Sequence, residues 1–144
     1  MISRIEKLLF SLRENDLQLE VAPGRNRVYW IIGHLAAHHD RLLPMLSIGE
    51  RLHPELDELF IDNPDRTFED EFSGDKLRQI LVEVNARITE GISSMPPADL
   101  LKKHNSVSEE DFKKEPLRNR LAVFESRTSH VMFHAGQIRL VVQP

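Results

Sequence analysis

Apolar residues recur along this chain at the three- and four-residue spacing of helices that bury one side. Ile2, Ile5, Leu8, Leu9 and Leu12 share one stripe and predict a short first helix over 2–13. After a Pro-Gly break at 23–24, Val28, Ile31, Leu35, Leu42 and Leu46 predict a second helix that runs to about Leu46. Pro44 lies inside it, and its ring would meet the carbonyl of Asp40, which predicts a kink or an early stop. Leu77, Ile80, Leu81, Val84, Ile88 and Ile92 predict a third helix from about Gly74 to Met95, ended by Pro96 and Pro97. A fourth is expected from about Arg118 to Val142.

Two long connections separate these helices. Residues 47–73 mix Gly, Pro and acids without a sustained period, and residues 96–117 are polar apart from "ADLL" at 98–101, which reads as a helical turn. Connections of this length inside a compact domain often carry function or short helical turns. No alternation of apolar and polar residues lasts long enough for a half-buried strand. The expected architecture is therefore all-α, an antiparallel four-helix bundle with two long inter-helix connections and a short first helix. At 1.5 Å per residue that first helix spans about 20 Å and the last about 36 Å. The difference predicts a groove that either a connection or a second subunit must cover.

A length of 144 residues suits a single domain, 1–144, with enough buried surface to fold without staples. The net charge of −4, with bases interleaved among acids, argues against nucleic acid as a partner. No apolar run approaches the roughly 18 residues of a membrane span. The first residues, "MISRIEKLLFSLREND", are too charged for a secretory leader, so a cytoplasmic location is expected. The chain has no cysteine, so any metal must be held by His, Asp, Glu or backbone oxygen.

The histidines change the picture. Advancing about 100° per residue along the last helix, His134 falls about 40° from His130, next to Val123, Val131, Ile138 and Val141. On the second helix His34 and His38 flank the stripe of Ile31, Leu35 and Leu42, while Tyr29 and Asp40 point away from it. Each pair has i, i+4 spacing, which stacks two imidazoles one turn apart and lets both reach one ion. A single inward histidine is more often a core residue bonded to a carbonyl. Several together strand polar nitrogens that a divalent ion would satisfy. Neither "HLAAH" nor "HVMFH" has the Glu after the first His that serves zinc proteases as base. Ser126 and Ser129 lack a Gly-x-Ser-x-Gly turn, and no phosphate-cradling glycine loop occurs.

"NRVYWIIGHLAAHHDRLL" at 26–43 and "SHVMFHAGQIRLV" at 129–141 resemble the two signature segments of the DinB-like superfamily, which includes the YfiT-type metal-dependent hydrolases. The resemblance covers the chain from about Leu8 onward. It implies a four-helix bundle, commonly dimeric, that holds a divalent metal, usually zinc or nickel, by three histidines. Carried onto this sequence those are His34, His130 and His134; His38, His39, His53 and His104 have no counterpart, and His38 is kept as a pocket residue. Three neutral ligands leave a coordination position open for a water, a thiolate or a substrate anion. Several relatives are transferases or isomerases that use a low-molecular-weight thiol. Gln137, near the histidine pair on the wheel, is a candidate to support the metal site, and Trp30, one turn before His34, a candidate pocket wall. Gly136 falls on the outer side, where a close helix or subunit contact explains it. Arg27 and Arg41 share the His34 face and could attract an anion, although such side chains usually reach out to water.

Three functions follow. The first is an enzyme, a hydrolase or thiol S-transferase acting on a small molecule at a three-histidine metal. The second is a non-catalytic bundle that binds a metal or small ligand, and the third a metal-free helical scaffold. The first helix is shorter than in most members of the superfamily, which predicts a homodimer that buries it.

Overall fold

The computed structural model describes residues 2–142; of Ile2, the first position of the predicted stripe, only the backbone is described. The predicted helices are present with sharper ends. The first is α1 (Ile2–Phe10), followed after a break by a single turn, α2 (Glu14–Leu17). The second divides at Arg41 into α3 (Val28–Asp40) and α4 (Leu42–Met45). This is where Pro44, lacking an N–H and crowding the Asp40 carbonyl, forbids a continuous helix.

Residues 47–73 contain a short α5 (Leu56–Phe60). The third long helix, α6 (Gly74–Ser94), starts at Ser73, whose side chain accepts from the Lys76 N–H. The "ADLL" turn is α7 (Pro97–Leu100), with Pro97 at the first helical position. A second short helix, α8 (Glu109–Lys114), lies in the stretch expected to be irregular; Ser108 caps it and three acids fill its first turn. The last helix, α9 (Arg120–Val141), is capped by Asn119, which accepts from the Ala122 N–H. Among the described residues there is no strand, and backbone bridges are limited to Glu20 with Arg27 and Lys103 with Asn119.

The chain forms a helical bundle. The principal contacts set α3 against α6 and α9, and α1 against the same two helices. Ile5, Leu8, Leu9 and Leu12 of α1 and its C-terminal flank are buried there, so the apolar face of the first helix is covered within the chain. Its 9 residues reach about 14 Å, against about 33 Å for the 22 of α9. A cleft of about 570 Å³ opens between α6 and α9, beside Ile5 and Glu6 of α1.

One expectation is overturned. Tyr29 and Asp40, placed by the helical wheel on the outer side of α3, are both buried. The 47–73 connection folds over that side and packs α5 against α3. Tyr29 donates to the Phe72 carbonyl at 2.9 Å. Asp40 accepts from the Leu52 N–H at 2.7 Å, the His53 N–H at 3.1 Å and Arg51 Nε at 2.9 Å. A helix covered on all sides must satisfy its polar residues locally, and here a connection supplies the partners.

Replacing Asp40 by Ala would remove the acceptor of two backbone N–H groups and the buried partner of Arg51, and loosen the connection from α3. A loss of about 3 kcal/mol is expected in urea unfolding, since removing one partner of a buried charged network has that order of cost.

Candidate metal centre

His34 and His38 lie one turn apart on α3, and His130 and His134 one turn apart on α9. Because α3 and α9 pack together, all four rings meet in one place. The His34 ring centroid is 4.4 Å from that of His38, 5.1 Å from His130 and 5.3 Å from His134. Three of the four turn a nitrogen toward a common point. His130 Nε2 lies 3.2 Å from His34 Nε2 and 3.0 Å from His134 Nε2. His34, His130 and His134 each offer a ligand atom within 4.8 Å of the others.

The outer nitrogens determine what the inner ones are. His34 Nδ1 donates to the Phe60 carbonyl at 2.7 Å, and His134 Nδ1 donates to Gln137 Oε1 at 2.7 Å. In the neutral rings both Nε2 atoms are therefore lone pairs. His130 can place at most one proton between the three nitrogens, and its Nδ1 is buried with no partner. At least two nitrogens therefore face one another unprotonated, which is unfavourable unless a cation lies between them. Three nitrogens on a tetrahedral ion with bonds of 2.0–2.1 Å would be about 3.4 Å apart, close to the observed separations. The donor set fits a divalent metal.

The surroundings hold the rings in place. Gly33 lets the Phe60 ring lie directly against α3, because a Cβ at that position would collide with it. This close approach brings the Phe60 carbonyl to His34. Trp30 stacks on His34 with centroids 4.6 Å apart and an interplanar angle of 20°, and its Nε1 donates to the Leu59 carbonyl at 3.1 Å. Gln137 contacts His134 directly, so its place is behind a candidate ligand. His38 stands beside the cluster without turning a nitrogen into it; its ring is 5.0 Å from that of His130, and its Nδ1 is buried without a partner.

The two arginines expected near His34 are already committed. Arg41 pairs with Asp57 at 2.8 Å. Arg27 is buried and pairs with Asp65 at 2.7 Å and Asp70 at 2.8 Å, while Gln18 accepts from its Nη1. The charge that remains near the cluster is Arg127, which the helical wheel did not single out. It lies about 60° from His130 on the α9 wheel, between His134 and Val131, so its inward position was present in the spacing.

Burial dominates the titration of the cluster. It lowers the imidazole pKa of His34 and of His134, and it pushes His38 down to about 3 and His130 to about 4, with neighbouring rings and Arg127 adding to the effect at His38 and His130.

A sequence model described as the DinB superfamily matches residues 1–138. No curated protein matches the chain. Among solved structures, it is similar to a crystal structure of a conserved protein from Enterococcus faecalis, with 20% identity and a TM-score of 0.63. That similarity covers 97% of this chain and 89% of the other. At this identity it shows a shared fold.

The lowered imidazole pKa values predict acid sensitivity in the metal-stripped protein. The unfolded chain takes up protons below about pH 6.5, where the folded cluster stays neutral. Stability is full above that pH and falls as pH drops toward about 4, where His130 titrates, and about 3 for His38. The melting temperature in chelator should decline steadily from pH 7 to pH 5; a flat profile would contradict the assigned burial.

Proposed function

The chain belongs to the DinB superfamily, and on that premise we propose that it binds a divalent metal, zinc or nickel, through His34, His130 and His134. The observation that supports this reading most directly is the meeting of three Nε2 atoms, two of them held as lone pairs by Phe60 and Gln137 behind them. The ligand set is neutral, so a bound divalent ion keeps its charge and a position for a further ligand. When bound, such an ion supplies Lewis acidity that makes a water or thiol ligand nucleophilic near neutral pH. The reaction class is then hydrolysis or transfer to a low-molecular-weight thiol, with a small molecule as substrate.

The protein's own residues have distinct parts in this reading. Gln137 and the Phe60 carbonyl fix the tautomers of His134 and His34. Trp30 holds the His34 ring plane. His38, kept neutral by burial, forms a wall of the site and is not a ligand. No described helix is long and apolar enough to cross a membrane, in keeping with a small-molecule substrate free in water.

Two copies would join through α9. With the face of α1 already covered, the uncovered apolar residues of a long helix are Met132, Phe133 and Leu140, exposed by 52%, 62% and 85%. They lie on one side of α9 together with Gly136, where no atom would meet a Cβ. A stripe of this kind is characteristic of a subunit contact.

Zinc or nickel should raise the melting temperature of the stripped protein, by an amount that grows with the ratio of metal to Kd. His130→Ala should abolish that rise and the stoichiometric metal found by elemental analysis, whereas His38→Ala should retain both. An unshifted wild-type protein with no retained ion would refute the site. Light scattering at micromolar concentration should give a dimer, and Phe133→Glu a monomer of unchanged helicity.

A further inference from the structure

The cleft between α6 and α9 has features that the metal centre does not account for. Its walls are apolar, with Ile5 from α1, Ile88 and Ile92 from α6, and Phe124 and Val131 from α9. Its volume of about 570 Å³ is within the range of small-molecule sites. Two polar side chains in this lining lack partners in ways that indicate a ligand.

The first is Arg127. Its side chain is half-buried, its Nε is buried without a hydrogen-bond partner, and no ion pair to it is found among the described residues. The one charge that acts on it is Arg41, of the same sign, so both burial and that neighbour disfavour the cation. Elsewhere in the protein the buried arginines Arg27 and Arg78 are paired, the first with Asp65 and Asp70 and the second with Asp75. An unpaired guanidinium facing an apolar cleft is costly unless an anion joins it.

The second is His39, only 6% exposed. Its tautomer is fixed from a distance. Glu6 Oε1 can only accept, so Asn85 must donate to it through Nδ2, at 3.0 Å. That orientation turns Asn85 Oδ1 toward His39, and His39 Nδ1 donates to it at 2.7 Å. His39 Nε2 is thereby an unprotonated acceptor, buried, with no partner. Glu6, Asn85 and His39 all belong to the lining, so the relay spans α1, α6 and α3 across the cleft.

We propose that this cleft binds an apolar monocarboxylic acid, with the carboxylate on Arg127 and the hydrocarbon body against Ile88, Ile92 and Phe124, while His39 Nε2 is free to accept from a hydroxyl or N–H on those acids that carry one. A single guanidinium matches one carboxylate in a two-point contact, whereas a phosphate dianion would call for more positive charge than the lining offers. Binding does not require the metal. The role of the bound acid as substrate does rest on the metal reading, because Arg127 lines the cleft and its charge is felt at His34, His38 and His130 as well as at His39.

Calorimetric titration of the whole protein with decanoate and with decanol tests this. The wild type should bind decanoate saturably at one site per chain and at least tenfold more tightly than decanol. Arg127→Met should remove that preference while leaving decanol binding unchanged, and Ile88→Trp, which fills the cleft, should weaken both. His130→Ala, without metal, should still bind decanoate, so failure of the metal site and failure of this cleft are distinguishable. Amide shifts on adding decanoate to the wild type should centre on Thr89, Phe124 and Thr128, a readout that needs no variant. Absence of saturable binding, equal affinity for acid and alcohol, shifts centred elsewhere, or a dimer that Ile88→Trp dissociates would overturn the proposal, the last by showing that a second copy fills the cleft.

Discussion

Imidazole nitrogens in an apolar interior must be satisfied, and this requirement governs the point where α3 meets α9. The Nε2 atoms of His34, His130 and His134 lie 3.0–3.2 Å apart along their two contacts through His130, too close to be left as bare lone pairs. The protein adds no carboxylate to that point. Its contribution is to fix the outer nitrogens, with the Phe60 carbonyl behind His34 and Gln137 behind His134. These contacts direct the inner lone pairs toward one another, an arrangement that suits a cation held between them. Hydrogen-bonded histidines of this kind orient ligands and raise their basicity.

The connection at 47–73 follows from the same requirement. To bring a carbonyl to His34, α5 must lie directly on α3, and Gly33 is the residue that permits it. Once the connection covers α3, the polar residues on that side need partners. Asp40 receives Arg51 and two backbone N–H groups, while Arg27 receives Asp65 and Asp70. Several of the acids that make 47–73 look irregular in the sequence are thus the counter-charges of α3. Asp57, Asp65 and Asp70 each pair with an arginine at one of the two ends of α3 or in the connection.

Much of this is legible in the order of residues alone. The apolar stripes locate α1, α3, α6 and α9 to within a few residues, Pro44 announces the break at Arg41, and i, i+4 spacing marks the histidine pairs. The choice among the four inward histidines is not legible from the wheel, which puts His38 as well as His34 beside the stripe; the family resemblance singles out three, and the packing of α3 on α9 brings those three together. The wheel fails at Tyr29 and Asp40 because it assumes one buried side, and a long connection supplies a second. It also passes over α8, whose signal is the capping serine at 108 with acids after it and no apolar stripe.

Asn85 and Arg127 show a different limit. Asn85 lies at the edge of its stripe and Arg127 within one, in places where a long polar side chain ordinarily finds a way to water. Their significance depends on what packs against them, a tertiary fact that no local period contains. Glu6 of α1 reaches Asn85 and Ile5 forms one wall of the cleft, while Arg127 has no ion pair among the described residues. The cleft is an apolar space with Arg127 in its lining, and the charge of that arginine also acts on His34 and His130 of the histidine cluster.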